Sequence, residues 1–404
     1  MANNLPDLCL QNIFTHLNYR TLYSCTLVNK QWSYSSIPVL WSNPFDHAPG
    51  KLSYLKPLLD ISVSFLPQNQ QQELGIRPKF RPNSMMFNYP VYIRHFNLHA
   101  IYKSVNYWCS RSYPTGTDKQ ISKALIEYFF INSSKIDTLE IDESDYNNLI
   151  LDIFHSTQVL SKIQNIRALT INEGYHEFST LLSNSIQNIK TLKFYIPPRD
   201  NPDLLDDIKQ LIQNQKNLFD ITISQPLIIE NQFPIYWEIF HSSEIIKSTV
   251  TCIEFVFIKF PKNISIIYHL SYFTNLRYLQ FHGCDFGMIP DIKTDQVIQE
   301  INSTSPLAFK QLNTIKIVGT LNLELLMILL QLSGEELSCL ELMNIKMIKF
   351  SYIIKWLEVF CLNLRNLVIT DPTNENLEIA SIQDFFQKFN NLTSVILNGK
   401  RFLA

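Results

Sequence analysis

The chain has 404 residues, 46% of them apolar and 17% charged, with a net charge of −2. It is longer than one ordinary domain needs, apolar enough for a sizeable core, and too weakly charged to be disordered. That balance excludes a general attraction to nucleic acid or anionic membrane, and nine glycines leave little room for glycine-rich phosphate loops.

Residues 1–4 and the Leu5-Pro6-Asp7 after them lack the basic start and long apolar stretch of a signal peptide. The most apolar run, 321–332, carries Glu324 and is too short for a bilayer, which needs roughly 20 residues. The seven cysteines (Cys9, Cys25, Cys109, Cys252, Cys284, Cys339 and Cys361) are scattered, odd in number and form no Cys-x-x-Cys pair. They read as reduced thiols of an intracellular protein, cytoplasmic or nuclear, rather than disulfides or zinc ligands.

The first segment is helical. Leu10, Ile13, Phe14 and Leu17 fall at i, i+3, i+4 and i+7, one face of a helix, and Pro6 sits near its first turn. A second helix is predicted over 21–28, with Leu22, Cys25 and Val28 a turn apart. A third runs through Trp32 towards Ile37, where Pro38 ends or kinks it. Three helices this short cannot bury Leu5, Leu8, Ile13, Leu17, Val28, Trp32 and Trp41 together, so part of that set is expected to face a partner.

The ordered string over 5–41 resembles an F-box: Leu5-Pro6, Ile13-Phe14, Leu17, Leu22 through Val28, Trp32, then Leu40-Trp41. The wording is similar to an expanded set of fungal F-box proteins. The resemblance implies docking onto a Skp-family adaptor and, through it, a cullin. It assigns the adaptor contacts, or the small core beneath them, to Leu5, Pro6, Ile13, Leu17, Leu22, Val28 and Trp32. One departure is the loop after the first helix, shortened to Asn18-Tyr19-Arg20 where the family often has an acidic stretch, which points to weaker docking.

The F-box is expected over 1–45 and an irregular connector over 46–88. One or two helical turns are predicted around Pro67 and a loop over 75–83. Leu55, Leu58, Leu59, Ile61, Val63 and Phe65 are too apolar to stay in water, so the connector should pack on the long segment C-terminal to it.

From 89 to 404 a weak line recurs, N-[LI]-x-x-[LI]-x-[LIF]. It begins at Asn165, Asn188, Asn217, Asn275, Asn363 and Asn391, with looser copies from Lys135, Thr249, Gln311 and Glu336 and a first one near Val91. Each line alternates like a short strand. Helix-like patches lie between them, at 122–130, 149–160, 204–212, 323–332, 353–360 and 382–389. The fold class is therefore α/β, a helical module followed by a solenoid of strand–helix repeats resembling irregular leucine-rich repeats, a horseshoe with strands on its concave face. These repeats lack the Asn/Cys ladder that comes after the strand in standard forms.

No catalytic motif is present: there is no H-E-x-x-H, G-x-S-x-G or P-loop. His95 and His99 are read on one strand, where a spacing of four builds no helical metal face; His155, His176, His241, His269 and His282 have no ligand-spaced partner. Asp142, Glu143 and Asp145 read as a solvated loop. Neither metal nor cofactor nor enzymatic activity is expected.

Binding is expected where strand residues alternate outward. Those are Thr191, Lys193 and Tyr195, then Arg277, Tyr278, Gln280 and His282, then Thr314 and Lys316, then Asn366, Val368 and Thr370. Together the two halves read as a substrate receptor of a Skp–cullin–F-box ubiquitin ligase, holding an unknown target protein on the repeats. The alternative is a repeat scaffold that binds protein without any ligase.

Overall fold

The computed structural model describes residues 5–45, 52–110, 113–114, 116–142, 147–172, 176–195, 202–225, 243–260, 265–286, 294–305, 308–320, 322–345, 350–371, 389 and 391–403. It divides into two compact units, Met1–Asn188 and Ile189–Ala404.

The first unit opens with three helices, α1 (Asp7–Phe14), α2 (Tyr19–Thr26) and α3 (Lys30–Leu40). Asparagine starts two of them: Asn18 Oδ1 accepts the Thr21 N–H at 3.0 Å, and Asn29 Oδ1 accepts the Trp32 N–H at 2.9 Å. Of the three residues read as the shortened loop, Asn18 is the helix cap, and Tyr19 and Arg20 already belong to α2. Pro38 does not end the third helix, which continues to Leu40; proline this late in a helix leaves few further bonds to break. Leu10, Phe14, Leu22, Cys25, Ile37 and Leu40 form the small core, and Trp32 meets Phe14 edge to face, 5.4 Å between centroids.

The connector is more helical than expected. α4 (Leu52–Ser64) starts well before Pro67 and tolerates Pro57, and α5 (Gln68–Glu73) comes directly after Pro67. Gln71 Nε2 donates to the carbonyls of Val63, Ser64 and Leu66, closing the end of α4. Asp60, buried, accepts from Lys79 Nζ at 2.6 Å and from Trp108 Nε1 at 3.1 Å. The connector is thereby tied to α6 (Leu98–Cys109).

The remaining elements of this unit are β1 (His95–Asn97), α7 (Thr117–Asn132), β2 (Thr138–Ile141), α8 (Asn147–Phe154), α9 (Thr157–Ile163), β3 (Ala168–Ile171) and α10 (His176–Ser185). β1, β2 and β3 pair in parallel, in that order. The patch at 149–160 is two helices, broken at His155–Ser156. His95 and His99 do not share a strand: His95 lies on β1 and His99 in the first turn of α6.

The second unit repeats the unit of strand and helix. Its strands are β4 (Thr191–Tyr195), β5 (Asp220–Ser224), β6 (Cys252–Val256), β7 (Tyr278–His282), β8 (Thr314–Val318), β9 (Cys339–Met343), β10 (Asn366–Ile369) and β11 (Ser394–Leu397), all parallel and in chain order. Between them lie α11 (Pro202–Gln213), α12 (Glu244–Thr249), α13 (Ser265–Leu270), α14 (Thr294–Thr304), α15 (Leu323–Ser333) and α16 (Phe350–Phe360). The patch at 382–389 lies outside the described residues except for Phe389, which is buried. β12 (Lys400–Leu403), which no sequence pattern predicts, turns back antiparallel to β11.

One hydrogen-bond device recurs at strand entrances. The residue before a strand and the strand's first residue both donate their N–H to one carbonyl of the preceding repeat. Arg277 and Tyr278 donate to Thr251; Asn313 and Thr314 to Arg277; Ser338 and Cys339 to Asn313; Arg365 and Asn366 to Ser338; Thr393 and Ser394 to Arg365. The first unit runs the same chain, Arg94 to Asp137 to Arg167, and its first acceptor is the Ser42 carbonyl, just past α3. Such a handed-on bond is the geometric content of a repeat, each unit supporting only its neighbours.

A second ladder uses three of the recurrent asparagines, Asn275, Asn363 and Asn391. Asn275 Nδ2 donates to the Ser248 carbonyl, Gln311 Nε2 to Asn275 Oδ1 at 2.9 Å, Asn363 Nδ2 to the Glu335 carbonyl at 2.7 Å and Asn391 Nδ2 to Asn363 Oδ1 at 3.1 Å. The ladder missing after the strands is thus matched by an amide ladder before them.

Candidate functional site

Two surfaces stand out, one in each unit. On the helical module, Leu5 (50% exposed), Leu8 (79%), Ile13 (48%), Leu27 (72%) and Val28 (57%) keep large apolar side chains in water. Isolated exposed apolar residues are ordinary; five within one module of this size are a patch that calls for a partner.

The local fold explains the display. α1 buries Leu10 and Phe14, one turn apart, and presents Leu8, Cys9 and Ile13 on its other sides. Gln31 Nε2, at the start of α3, donates to the Leu5 carbonyl at 2.7 Å and to Asp7 Oδ1 at 3.1 Å. That clasp ties the residues at the start of α1 to the start of α3, which follows the turn that carries Leu27 and Val28. Pro6 caps α1 from an exposed position, and Leu17 and Trp32 are half-buried.

Leu22 takes the second of the two roles the resemblance allows, the small core. At 4% exposed it is core and can touch no partner directly. Periodicity also grouped Ile13 with Leu10 and Phe14 on one face, but Ile13 is displaced to the exposed flank. Leu8 and Leu27 were not among the residues assigned to the adaptor, because F-box spacing singles out neither.

Comparison with known proteins now bears on this module. Residues 2–47 match the F-box-like family. The chain carries an F-box-like domain at its N-terminus. No curated protein matches the chain. Among solved structures, it is similar to a chain of the crystal structure of the Rad7 and Elc1 complex in yeast. The identity is 12% over 99% of each chain and the TM-score 0.37, a likeness too distant to bear on function.

The second surface is the outward face of the parallel sheet in the second unit. β4, β7, β8 and β10 bury Leu192, Phe194, Leu279, Phe281, Ile315, Ile317, Leu367 and Ile369. The alternate residues turn away from that core. Strand register gathers the expected residues into rows: Thr191, Tyr278, Thr314 and Asn366 in one, Lys193, Gln280, Lys316 and Val368 in the next, Tyr195 and His282 in a third.

Arg277 does not belong to a row. Its N–H shares the Thr251 carbonyl with that of Tyr278, so it stands in the turn before β7, exposed, where strand alternation has not begun. Thr370 lies just past β10, and its hydroxyl accepts the Asn344 N–H at 2.7 Å, a structural task. The rows also contain Asp220, Thr222, Glu254 and Glu341, which the expected strip left out although the same alternation predicts them.

These outward groups pair across repeats. Thr191 Oγ1 donates to Asp220 at 3.2 Å, Thr222 Oγ1 to Glu254 at 3.1 Å, and Lys316 meets Glu341 at 3.3 Å. Burial, then the carboxylates of Asp220 and Glu254, push the Cys252 thiol between them up to about 11. Among the described residues no group of His, Cys, Asp and Glu is arranged to hold a metal ion, no cysteine is bonded to another, and no helix is long and apolar enough to cross a membrane.

Proposed function

We propose that this chain is the substrate-receptor subunit of a Skp–cullin–F-box ubiquitin ligase. The F-box-like domain binds a Skp-family adaptor and, through it, a cullin; the repeats recruit a target protein. The chain itself forms and breaks no bond: it supplies proximity and orientation to the ubiquitin-conjugating enzyme, and works in the cytoplasm, the nucleus or both. The observation that carries the reading is the exposed apolar patch of Leu5, Leu8, Ile13, Leu27 and Val28 on a module matching the F-box-like family.

The test is co-purification of the full chain with a Skp adaptor and cullin under reducing conditions. Recovery of both supports the reading, and a Leu5→Ala, Pro6→Ala double variant should lose them while staying folded. A wild-type chain that is folded and binds neither would leave a repeat scaffold acting without a ligase.

A further inference from the structure

β6 ends at Val256, and the next residue, Phe257, has φ +56°. In the next three repeats the residue after the strand is Gly283 (φ +63°), Gly319 (φ +103°) and Asn344 (φ +55°). The position is equivalent across the repeats: the N–H of Phe257 donates to His282, that of Gly283 to Val318 and that of Gly319 to Met343. Glycine and asparagine enter the left-handed region cheaply, whereas a phenylalanine there is strained.

The strain takes the ring out of the core. By strand alternation Phe257 has the parity of the buried Ile253 and Phe255, yet it is 41% exposed, and Ile258 fills the buried place next to it. The ring lies against that of His282, 5.7 Å between centroids. It also covers Gly283, where a Cβ would come within 2.5 Å of two ring carbons. Gly283 therefore clears the floor under the ring. A strained residue kept where the neighbouring repeats use glycine and asparagine points to a task outside the fold.

The adjoining face supplies a charge argument. Asp220 and Glu254 have a threonine hydroxyl each and, among the described residues, no cation, whereas Glu341 has Lys316. Lys193, in register with Thr222, is on the strand next to Asp220 without pairing to it, and both Lys193 and Lys316 stand two strands from Glu254, about 10 Å at ordinary strand spacing. Tyr278, 43% exposed and in register with Cys252, offers a ring face to a cation beside the two carboxylates.

We propose that the Phe257–His282 platform anchors an aliphatic or aromatic side chain of an extended segment of the target protein. A lysine or arginine two to four residues away in that segment is held by Asp220 and Glu254. The proposal rests on the reading that the repeats recruit a target, and it names the chemistry of what they take. Phe257 follows Glu254 by three residues, just past the end of β6, about 10 Å at strand rise, which an extended segment spans in that many residues.

The test is selection of phage-displayed random dodecapeptides on the full-length chain, with adaptor binding measured in parallel. Enriched peptides should pair a large apolar residue with a lysine or arginine at that spacing. Phe257→Asn should weaken the best peptide at least tenfold without lowering the melting temperature, because asparagine suits the left-handed position. Glu254→Gln should weaken it severalfold and flatten its salt dependence. Neither variant should change adaptor binding. Absence of enrichment, enrichment without the pairing, or indifference to Phe257→Asn would overturn the proposal. A wild-type chain that selects such peptides but ignores the adaptor would keep it and sink the ligase reading instead.

Discussion

Asn391 Nδ2 donates to Asn363 Oδ1 at 3.1 Å, and Asn363 Nδ2 in turn donates to the carbonyl of Glu335 at 2.7 Å. One side chain is thus acceptor for the repeat after it and donor to the repeat before it. Asparagine alone among small side chains offers both in one plane. Asn363→Ala removes both bonds at an exposed site and should cost the chain about 0.5–1.5 kcal/mol in urea denaturation. Asn363→Asp should cost more, because a carboxylate then faces the Glu335 carbonyl with no proton between them. Equal stability of all three proteins would show the ladder to be incidental.

Gly334 separates packing from backbone conformation. It caps the end of α15 with ordinary helical angles, so no left-handed turn requires it. A Cβ there would lie 2.1 Å from the Phe360 carbonyl oxygen and 2.6 Å from that of Leu330. Both obstacles are backbone and cannot rotate away. Gly334→Ala should therefore destabilise by about 1–3 kcal/mol or more, although alanine is the better helix former. A variant as stable as wild type would mean that α15 and α16 part freely.

The helical module should separate core from contact. Leu22→Ala empties a buried site and should cost about 2–5 kcal/mol, with adaptor binding lost only as folding is lost. Val28→Asp and Leu8→Asp alter exposed positions and should change stability by about 0.5 kcal/mol or less. Both should abolish adaptor co-purification. If the two aspartate variants still bind, the docking face lies elsewhere on the module.

Dependence of the module on its neighbour rests on Trp41 and Phe45. Trp41 stacks on Tyr89 at 4.3 Å, Phe45 meets Phe129 at 5.9 Å, and the Ser42 carbonyl is the first acceptor of the repeat chain. A fragment of residues 1–47 would expose both rings. Its circular dichroism should show little helix at 25 °C, whereas a fragment of residues 1–188 should be folded. A helical, cooperatively melting 1–47 fragment would overturn this.

Much of the fold was legible because one face of each strand is buried. Alternation at Leu192/Phe194 or Leu340/Leu342 is a strong signal, and it located every described parallel strand. β12 was missed because Lys400, Arg401 and Leu403 are all exposed, so no alternation betrays it. Ile13 was misplaced because a helix as short as α1 has no room for a broad buried stripe: Leu10 and Phe14 fill it. Phe257 was illegible for a different reason: a backbone angle, not a side-chain pattern, decides where its ring goes.

The cysteines offer a footprint of the docking face. Burial above all holds the thiols of Cys109, Cys284 and Cys361 up at about 12, so at pH 8 they carry almost no reactive thiolate and are shielded as well. In the unfolded chain these groups ionise near 9, well below the folded value. The folded state keeps the protons, so their contribution to stability is full below about pH 9 and lost as pH rises towards 12. Cys9 is exposed, on α1 between Leu8 and Ile13. Iodoacetamide at pH 8 should therefore label Cys9 while sparing Cys109, Cys284 and Cys361, as peptide mass mapping would report. Saturating Skp adaptor should slow Cys9 labelling at least tenfold, since the docking face proposed for α1 includes its neighbours. An unchanged Cys9 rate in a demonstrated adaptor complex would place that interface off α1.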